Sequence, residues 1–539
     1  MATNLVQLLM HELSSPRAWF LLLLPLFVLL GRCYPFRATK AARKKQKEID
    51  VQHPLPPSPP ALPVLGHLHL VGIRSPPHVS LQSIAEKQGG DLMLLRLGSM
   101  PALVVSSPRA AEAVLRTHDH VFASRPPSVA AEVVTYGRHD IGLAPYGEYW
   151  RQAKKLVTTH LLSVRRVRSF RHARMEEVST AVARIGEAAA AGAPVDIHEL
   201  VGTFTNDLAC RAVMGKSFRQ SEGWNELFRE VAVDASALLG GFSIEELFPF
   251  LARFGVLSKV VCAKSERVRK RWDELLDRLI DDLESKPMAA AEAASDGKKD
   301  EDDHFISTLL SVRQEYGHTR GQMKAILLDV FFGMGTAATV LDYTVIQLLQ
   351  NPRVMTKLQA EVRSSMRMQG RQGEEIVGED DLNRMPYLRA VINESLRLRP
   401  ATPILTPRFS MASCVVDGHV VPAGVRVLVN LWAIGRDARS WGADADEFVP
   451  ERFLDGGGAA RVSYRGNDFQ FLPFGAGRRQ CPGINFGMAQ VEVMLANLVH
   501  RFDWELPPGK EAHDIDMSED FGLVVHRKHK LLLFPKRCV

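Results

Sequence analysis

The ten residues Phe474–Gly483 constrain the fold of this chain more than any other stretch, and they read Phe-Gly-Ala-Gly-Arg-Arg-Gln-Cys-Pro-Gly. A single cysteine, Cys481, follows a glycine-rich turn and two arginines and precedes an apolar run. Pro482 suits the first position of a helix, because its missing N–H would be unpaired there in any case. The sequence therefore predicts that Cys481 lies at a helix N-terminus, where the helix dipole favours a thiolate.

A thiolate in such a turn is a strong metal ligand. Zinc takes about four protein ligands, whereas haem iron takes one axial cysteinate, so a lone cysteine favours haem. The alternative is an inert, buried thiol in an ordinary turn. Against it, the pattern Phe-x-x-Gly-x-Arg-x-Cys-x-Gly resembles the haem-binding signature of the cytochrome P450 family at every fixed position. That resemblance implies haem b as the cofactor, with Cys481 as the iron ligand and Phe474 in the binding loop.

The resemblance covers about Pro56 to Phe534 and implies a mainly α fold with a minor β part, in one large domain. The chain has 539 residues, which suffices for such a domain, and its 46% hydrophobic content is ordinary for a globular protein with a large core. The net charge of +6, without a basic stripe interleaved with aromatics, gives no case for nucleic acid. Six scattered cysteines without a Cys-x-x-Cys pair suit a reducing compartment.

The N-terminal region carries the signal for a membrane anchor. Ala18–Leu30 is an unbroken apolar run, and with the mixed residues before it the segment approaches the ~20 residues that cross a bilayer. A basic block over residues 32–47 follows, which by the positive-inside rule stays cytosolic and puts the N-terminus in the lumen. A cleaved signal peptide or a buried core helix fits this charge distribution less well.

We therefore predict a membrane anchor over residues 1–31, a basic and proline-rich linker over 32–63 and a haem-binding catalytic domain over 64–539. The resemblance implies a single-pass protein of the endoplasmic reticulum membrane, in contact with lipid, with its catalytic domain in the cytosol. Pro54–Pro63 indicates a rigid spacer, because proline stops helix and sheet from propagating. An SH3-type ligand is the other interpretation of this segment.

Hydrophobic periodicity predicts the main elements. Leu92–Leu97 and Ala102–Ser107 flank a Gly/Pro turn and indicate a β-hairpin. Thr319 and Gln322 form a capping box at the start of the longest helix, which runs to about Leu349 before Pro352. Lys286–Asp303 has no apolar period and indicates an exposed loop. Further predicted helices span Arg109–Thr117, Tyr149–His160, Val164–Ala190, Arg353–Met368 and Leu388–Leu398, and a small sheet spans Val415–Val421 and Val425–Val429.

Two more motifs resemble elements of the same family. Glu394-Ser395-Leu396-Arg397 and Pro450-Glu451-Arg452-Phe453 precede the cysteine loop in the family's order. The resemblance implies a charged cluster of Glu394, Arg397 and Arg452, which would lock the loop that presents Cys481. One acid between two guanidinium groups suits bidentate pairing. On its own, a carboxylate three residues before an arginine is a common surface pair.

Haem carries two propionates, which need basic partners. Trp150 and Lys154 match the family's Trp-x-x-x-Arg element, with lysine in place of arginine, and lysine still supplies a positive charge. Arg408 and Arg479 are the other candidates for binding the cofactor. Trp150 is also compatible with a role as a core aromatic residue.

The long helix departs from its family. Aligned on Leu341-Asp342-Tyr343, Thr336 falls on the family's threonine and Gly335 replaces the family's acid. Interior glycines cost about 1 kcal/mol each relative to alanine, which indicates a groove or a distortion of the helix at Gly333 and Gly335. Cleavage of the O–O bond needs protons, so we expect the hydroxyl of Thr336 to be catalytic as a proton relay. Because the acid is missing, we expect either less product per reducing equivalent consumed or protons supplied by ordered water or by the substrate. The other interpretation is that the helix is only locally less stable at these glycines and that Thr336 faces the core.

The resemblance implies an NADPH- and O₂-dependent monooxygenase that acts on a small lipophilic or aromatic substrate. No nucleotide-binding glycine motif precedes a helix, so electrons come from a partner protein, and the resemblance implies that this partner is NADPH-cytochrome P450 reductase. Arg478 and Arg479 favour an acidic docking face on it. By analogy the pocket is lined by Val129–Gly142, Phe331–Thr336, Ala401–Leu405 and Phe521–Val524. The alternatives are a haem-thiolate dehydratase or isomerase that needs neither O₂ nor reductase, and a non-catalytic haem-binding relative.

Several segments are similar to a narrower group, the grass monooxygenases of indole and indolin-2-one. This similarity lies in the scaffold, so it indicates ancestry more than substrate. The segments are Asp91–Pro108, Ala113–Pro126, Leu238–Phe242, Cys262–Asp282 and Gln314–Arg320.

Overall fold

The computed structural model describes residues 53–72, 75–215, 224–240, 242–249, 256–284, 304–368 and 376–538. The predicted anchor over residues 1–31 and the predicted loop Lys286–Asp303 lie outside these ranges, as does the linker before residue 53. The domain boundaries at 31 and 63 therefore stay predictions.

Helices make up most of the described chain. In chain order they are α1 Pro77–Gln88, α2 Pro108–Glu112, α3 Val129–Val134, α4 Glu148–Leu156, α5 Val164–Ser169, α6 Arg171–Ala191, α7 Ile197–Met214, α8 Trp224–Leu239, α9 Ile244–Leu247, α10 Val256–Glu284, α11 Phe305–Ser311, α12 Arg313–Tyr316, α13 Arg320–Gln350, α14 Pro352–Met368, α15 Pro386–Leu398, α16 Leu431–Ile434, α17 Ala438–Trp441 and α18 Ile484–His500. Helices α2 and α4 each continue as one turn of π-helix.

The strands form small sheets at the edges of the helical body. They are β1 Leu92–Leu97, β2 Met100–Val105, β3 Val195–Asp196, β4 Arg408–Phe409, β5 Cys414–Val416, β6 His419–Val421, β7 Arg426–Val429, β8 Phe502–Glu505, β9 Glu519–Asp520, β10 His526–Arg527 and β11 Leu532–Arg537. The largest sheet has the order β1-β2-β7-β4, and β2 pairs with β7 in parallel from Ala102 onward. The mainly α class with a minor β part is confirmed.

Helix α13 is the central element. Its predicted capping box is confirmed: Thr319 Oγ1 accepts from the N–H of Gln322 at 3.3 Å, and Gln322 Oε1 accepts from the N–H of Thr319 at 2.8 Å. The helix packs between α7 and α18. It is long and apolar enough to cross a membrane, but 67% of its most apolar window is buried inside the protein, as in a core helix.

Some predicted boundaries shift for identifiable reasons. Strand β2 begins at Met100 rather than Ala102, because Pro101 pairs only with Arg96 of β1 and needs no donor on its other side. The helix predicted over Val164–Ala190 breaks at Phe170. The predicted small sheet divides, since β5 and β6 form a separate hairpin while β7 joins β2.

The proline-rich segment lies against the folded body. The N–H of Leu94 donates to Pro57 O at 3.0 Å, and the N–H of Val420 donates to Pro54 O at 2.9 Å. His67 Nε2 lies 2.8 Å from Pro59 O. These contacts hold residues 54–59 along the largest sheet and the β5–β6 hairpin, so this part of the segment is anchored rather than free-standing.

Candidate functional site

The cysteine loop closes on itself before α18 begins. The N–H of Cys481 donates to Phe474 O at 3.0 Å, and the N–H of Gly483 donates to Cys481 Sγ at 3.3 Å. Gly477 has a φ of +65°, and a Cβ there would meet Leu115 O at 2.4 Å, so only glycine fits. The prediction of Pro482 as the first helical residue is wrong, because Gly483 is the N-cap of a helix that starts at Ile484.

Cys481 combines an exposed surface with a largely enclosed setting. Its own surface is exposed, yet the surrounding protein raises the pKa of its thiol, chiefly by burial. The N–H of Gly483 and the charge of Lys154 act in the opposite direction and lower that pKa. The thiolate expected from a helix dipole is thus not favoured by the protein alone, and a bound metal cation would stabilise it.

The side chains of Lys154 and Arg479 tie the cysteine loop to the surrounding backbone through hydrogen bonds. Lys154 Nζ donates to Arg478 O at 2.6 Å and to Gln480 O at 2.9 Å. Arg479 donates to Ala123 O at 2.7 Å, Ile141 O at 3.0 Å and Ala144 O at 2.6 Å. It is therefore held inward, which contradicts its predicted place on a docking face.

Trp150 supports both cations from α4. Its ring centroid lies 4.1 Å from Arg479 Cζ and 5.4 Å from Lys154 Nζ, within cation–π range. Its Nε1–H donates to Ile141 O at 3.0 Å, so the indole is satisfied by backbone. Burial, together with neighbouring positive charge, lowers the pKa of Lys154 to about 8 and that of Arg479 to about 9.

Two further arginines complete a buried basic cluster, defined here as Arg125, Lys154, Arg408 and Arg479. Arg408 pairs with Asp119 at 2.7 Å and donates to Ala476 O at 2.7 Å. Arg125 donates to Gly142 O at 2.7 Å and to Pro407 O at 2.9 Å. Burial and the charges of Arg479 and Arg408 lower the pKa of Arg125.

Arg125 was missed by the sequence analysis. It precedes Pro126 in a loop, where no periodic pattern marks it, and its backbone acceptors Thr406 and Pro407 lie some 280 positions further on. Partners so far apart along the chain leave no pattern in the sequence from which Arg125 could have been identified.

The buried basic cluster fits a haem. Among its members within the described ranges, only Arg408 has a carboxylate within 4.0 Å, and the other cations bind mainly carbonyl oxygens. Buried cations without paired anions are unfavourable, so two propionate carboxylates would compensate the cluster. The exposed sulfur of Cys481 beside the cluster would bind the iron of such a haem.

The surface of helix α13 has a notch at Gly333 and Gly335, the glycine notch. A Cβ added at Gly333 or at Gly335 would meet no atom within 4 Å, so both glycines border open space. Thr336 is half-buried, and its Oγ1 donates to Gly333 O at 2.6 Å. The groove predicted from the two glycines is thus confirmed, and Thr336 does not face the core.

The predicted charged cluster of Glu394, Arg397 and Arg452 is confirmed. Both oxygens of Glu394 accept from Arg397 at 2.7 Å, and Oε1 also accepts from Arg452 at 3.0 Å. The cluster does not touch Phe474–Gly483 directly, contrary to its expected role. Arg397 and Arg452 instead bind carbonyls within residues 435–447. The ring of Trp441, which stacks under Arg397, connects this segment to Phe471.

Only part of the predicted pocket lining comes together. Ile404 and Phe521–Leu523 line one crevice, joined by Gly240 and Phe242 from the end of α8 and beyond. Phe331 does not line it, because its ring stacks on Phe228 at 4.7 Å inside the core. Phe474 packs against Tyr464 at 5.6 Å, beside the cysteine loop.

Comparisons with known proteins identify the family of this chain. The sequence model of the cytochrome P450 family matches residues 56–534. The chain is 49% identical to indole-2-monooxygenase of Zea mays over 98% of both chains, and 47% identical to indolin-2-one monooxygenase of Zea mays over 92% of this chain and 91% of that one. A zebrafish cytochrome P450 solved with progesterone superposes with a TM-score of 0.68 at 25% identity, covering 86% of this chain and all of that one. The chain, with its cysteine loop and haem-compatible basic cluster, belongs to the cytochrome P450 family.

Proposed function

We propose that this protein inserts one atom of O₂ into a small lipophilic or aromatic substrate, using electrons from NADPH that a separate reductase delivers. The observation that carries the proposal is the juxtaposition of an exposed Cys481 sulfur with a buried basic cluster. When bound there, haem would supply oxygen activation, with the cysteinate donating electron density that favours O–O cleavage.

The residues of this chain have distinct roles in the proposal. Cys481 binds the iron, and Phe474 positions the loop through its carbonyl. Lys154, Arg125, Arg408 and Arg479 neutralise the propionates, while Trp150 orients Arg479 by stacking. Lysine at position 154 does this as a point charge rather than as a fork.

Thr336 is the proposed catalytic residue of α13. Its hydroxyl lies at the glycine notch, where it can pass a proton between water molecules. In a Thr336→Ala variant we expect less product per NADPH consumed and more released peroxide. Unchanged coupling in that variant would remove Thr336 from the mechanism.

An indolic ring is the proposed substrate class. Two of the most similar relatives are named for indole and indolin-2-one, and apolar side chains, among them Phe242, Ile404 and Phe521, line the crevice that two of the predicted pocket segments share. Titration of the ferric protein with indole and indolin-2-one should give a spin-state shift. Aliphatic fatty acids and terpenoids serve as comparison ligands, and a shift with these alone would reject the indolic class.

The proposed partner and location follow from family and charge. Arg478 of the cysteine loop is half-exposed, so it contributes one positive group to a reductase docking face, and its pairing with Asp119 at 2.9 Å fixes its position. We propose a single-pass anchor over residues 1–31 in the endoplasmic reticulum membrane. Fractionation of the full chain, with the catalytic domain probed by protease from the cytosolic side, tests this topology.

The deciding experiment is a carbon monoxide difference spectrum of the reduced protein, followed by turnover with and without reductase. A thiolate-ligated haem spectrum and reductase-dependent product support the proposal. A dehydratase or isomerase is the second candidate, because Gly335 stands where the family has an acid. Product formation without O₂ and reductase would favour that candidate, and intact haem without any turnover would favour a non-catalytic relative.

A further inference from the structure

Two carboxyl groups, those of Asp140 and Asp329, meet beside Gly142 and have no role in the proposed function described above. A Cβ on Gly142 would lie 3.3 Å from Asp140 Oδ2 and 3.3 Å from Asp329 Oδ1, so the two acids flank one backbone position. Asp140 Oδ2 accepts from the N–H of Leu143 at 2.6 Å, and Asp329 Oδ2 accepts from the N–H of Ile141 at 2.5 Å. Asp140 follows α3, whereas Asp329 lies on α13.

The pair lacks direct ionic partners. Within the described ranges no Lys, Arg or His nitrogen lies within 4.0 Å of either carboxylate, and Asp140 is only 1% exposed. Asp140 Oδ1 is buried and has no hydrogen-bond partner in good geometry. The Thr135 hydroxyl lies near enough to lower the pKa of Asp140, but it donates to Ala131 O at 2.8 Å. A buried oxygen of this kind is satisfied by carrying a proton itself.

The charged and titratable groups around the pair all act from a greater distance. Arg125 and Arg479 direct their N–H groups at carbonyl oxygens, and so does Arg138, which donates to Leu143 O at 3.0 Å. Burial raises the pKa of Asp140, and burial together with the charge of Asp140 raises the pKa of Asp329 well above its usual range. The other groups that interact with the pair are Tyr149 and Cys481.

Helix geometry directs this pair toward the glycine notch. Asp329, Gly333 and Thr336 are spaced by four and seven residues, so they share one face of α13. That face is accessible along an otherwise buried helix: Asp329, Phe332 and Thr336 are half-buried, and Gly333 is exposed. The rise from position 329 to 336 is about 10 Å, which about three hydrogen-bonded waters can bridge past Gly333.

We propose that Asp329, paired with Asp140, is the acid that supplies protons to the oxygen site, through water in the Gly333 notch and the hydroxyl of Thr336. It takes over the task of the acid that Gly335 replaces. The inference rests on the proposed monooxygenase function. In that reaction RH, O₂, two protons and two electrons give ROH and H₂O. The reductase supplies the electrons, Asp329 releases each proton to the water chain, and solvent reprotonates the carboxylate through Asp140.

The primary test is infrared spectroscopy of the resting ferric protein in H₂O and D₂O, without turnover. Wild-type protein should show the C=O stretch of a protonated carboxylic acid that shifts in D₂O. Asp329→Asn and Asp140→Asn should each remove or shift that band, since the amide keeps the backbone N–H acceptor but carries no exchangeable carboxyl proton. Glu361→Gln is the matched control, because Glu361 also accepts two backbone N–H groups, at 2.8 Å each, but caps α15.

The second readout is coupling. We expect Asp329→Asn to lower product per NADPH at least fivefold and to raise peroxide correspondingly, and Asp329→Glu to restore part of the loss. Glu361→Gln should couple as wild type. Unaltered infrared bands in both asparagine variants, or wild-type coupling in Asp329→Asn, would overturn the inference. If Asp329→Asn does not bind haem, two other results test the inference: the carboxylic acid band of the wild-type protein, and the loss or shift of that band in Asp140→Asn. Absence of the carbon monoxide spectrum from wild-type protein would instead reject the proposed function.

Discussion

Glu394 and Arg397 form a two-bond pair in the interior: each carboxylate oxygen lies 2.7 Å from a guanidinium nitrogen, and both side chains are fully buried. Arg452 adds a third bond to Glu394 at 3.0 Å. The single carboxylate of Glu394 therefore pairs with two buried guanidinium groups, and its loss would leave both without a counter-charge.

We accordingly predict that Glu394→Ala lowers the free energy of unfolding by about 3–5 kcal/mol and yields protein without bound haem. Glu505→Ala is the matched control, since Glu505 pairs with Lys536 at 2.5 Å, both side chains are exposed, and the change should cost about 0–1 kcal/mol. Chemical denaturation and haem content measure the difference. Normal haem incorporation in Glu394→Ala would contradict the structural role of the cluster.

Gly333 offers a test that separates stability from function. Alanine fits there without contact, so Gly333→Ala should raise the free energy of unfolding by about 0.4–1 kcal/mol through the unfolded state. The same methyl group would obstruct water in the notch and lower product per NADPH. Gly202→Ala, on α7 and equally uncrowded, should stabilise without changing coupling. Equal coupling in both variants would argue against water transport past Gly333.

Arg125 should govern haem retention. Replacing it with methionine removes a buried cation from a cluster that we expect to bind two carboxylates, and one charge-assisted hydrogen bond is worth about 1.5–3 kcal/mol. We expect haem transfer to apomyoglobin to be about 10- to 100-fold more favourable for Arg125→Met. Arg363→Met is the control, because Arg363 also donates to backbone carbonyls, His500 O at 3.0 Å and Val499 O at 3.2 Å, away from the cluster. Similar haem loss in the two variants would refute the prediction.

His78 makes stability depend on pH. Glu519 Oε2 lies 3.4 Å from His78 Nε2, but burial raises the pKa of Glu519 and weakens its support for a charged ring. Burial and the charges of Arg436 and Arg399 lower the pKa of His78 from 6.5 to about 3, so the folded state prefers the neutral ring. The unfolded chain therefore binds the proton first, and stability present above pH 6.5 is lost as pH falls toward 3. The maximal slope is about 1.4 kcal/mol per pH unit.

His78→Phe should flatten this part of the profile, since it keeps a ring against Trp432, which now lies 4.9 Å from the imidazole. His172→Phe, at a position whose side chain is exposed, should leave the profile unchanged. Urea denaturation between pH 7 and pH 5 measures the slopes. Parallel curves for wild type and His78→Phe would exclude His78 as the source.

The sequence alone determined the elements whose signals are local. The capping box at Thr319 and the stop at Pro352 define α13, because both act through neighbouring backbone groups. The cysteine loop is equally local: its glycines, arginines and Cys481 form one contiguous motif that identified haem and family together. The start of its helix lies two residues later than predicted, at Ile484 rather than Pro482, because Gly483 is the N-cap.

Only the tertiary structure decided which charges share a site. Arg125 lies with Arg479 and Arg408, although more than 280 positions separate it from them along the chain. Asp140 meets Asp329 across 189 positions. Phe331, which was predicted to line the pocket, packs in the core instead, because Phe228 stacks on it. None of these pairs has a spacing that a helix or strand period could reveal. Electrostatic interaction and packing depend on distance in space, and for residues so far apart in the chain that distance is set by the fold.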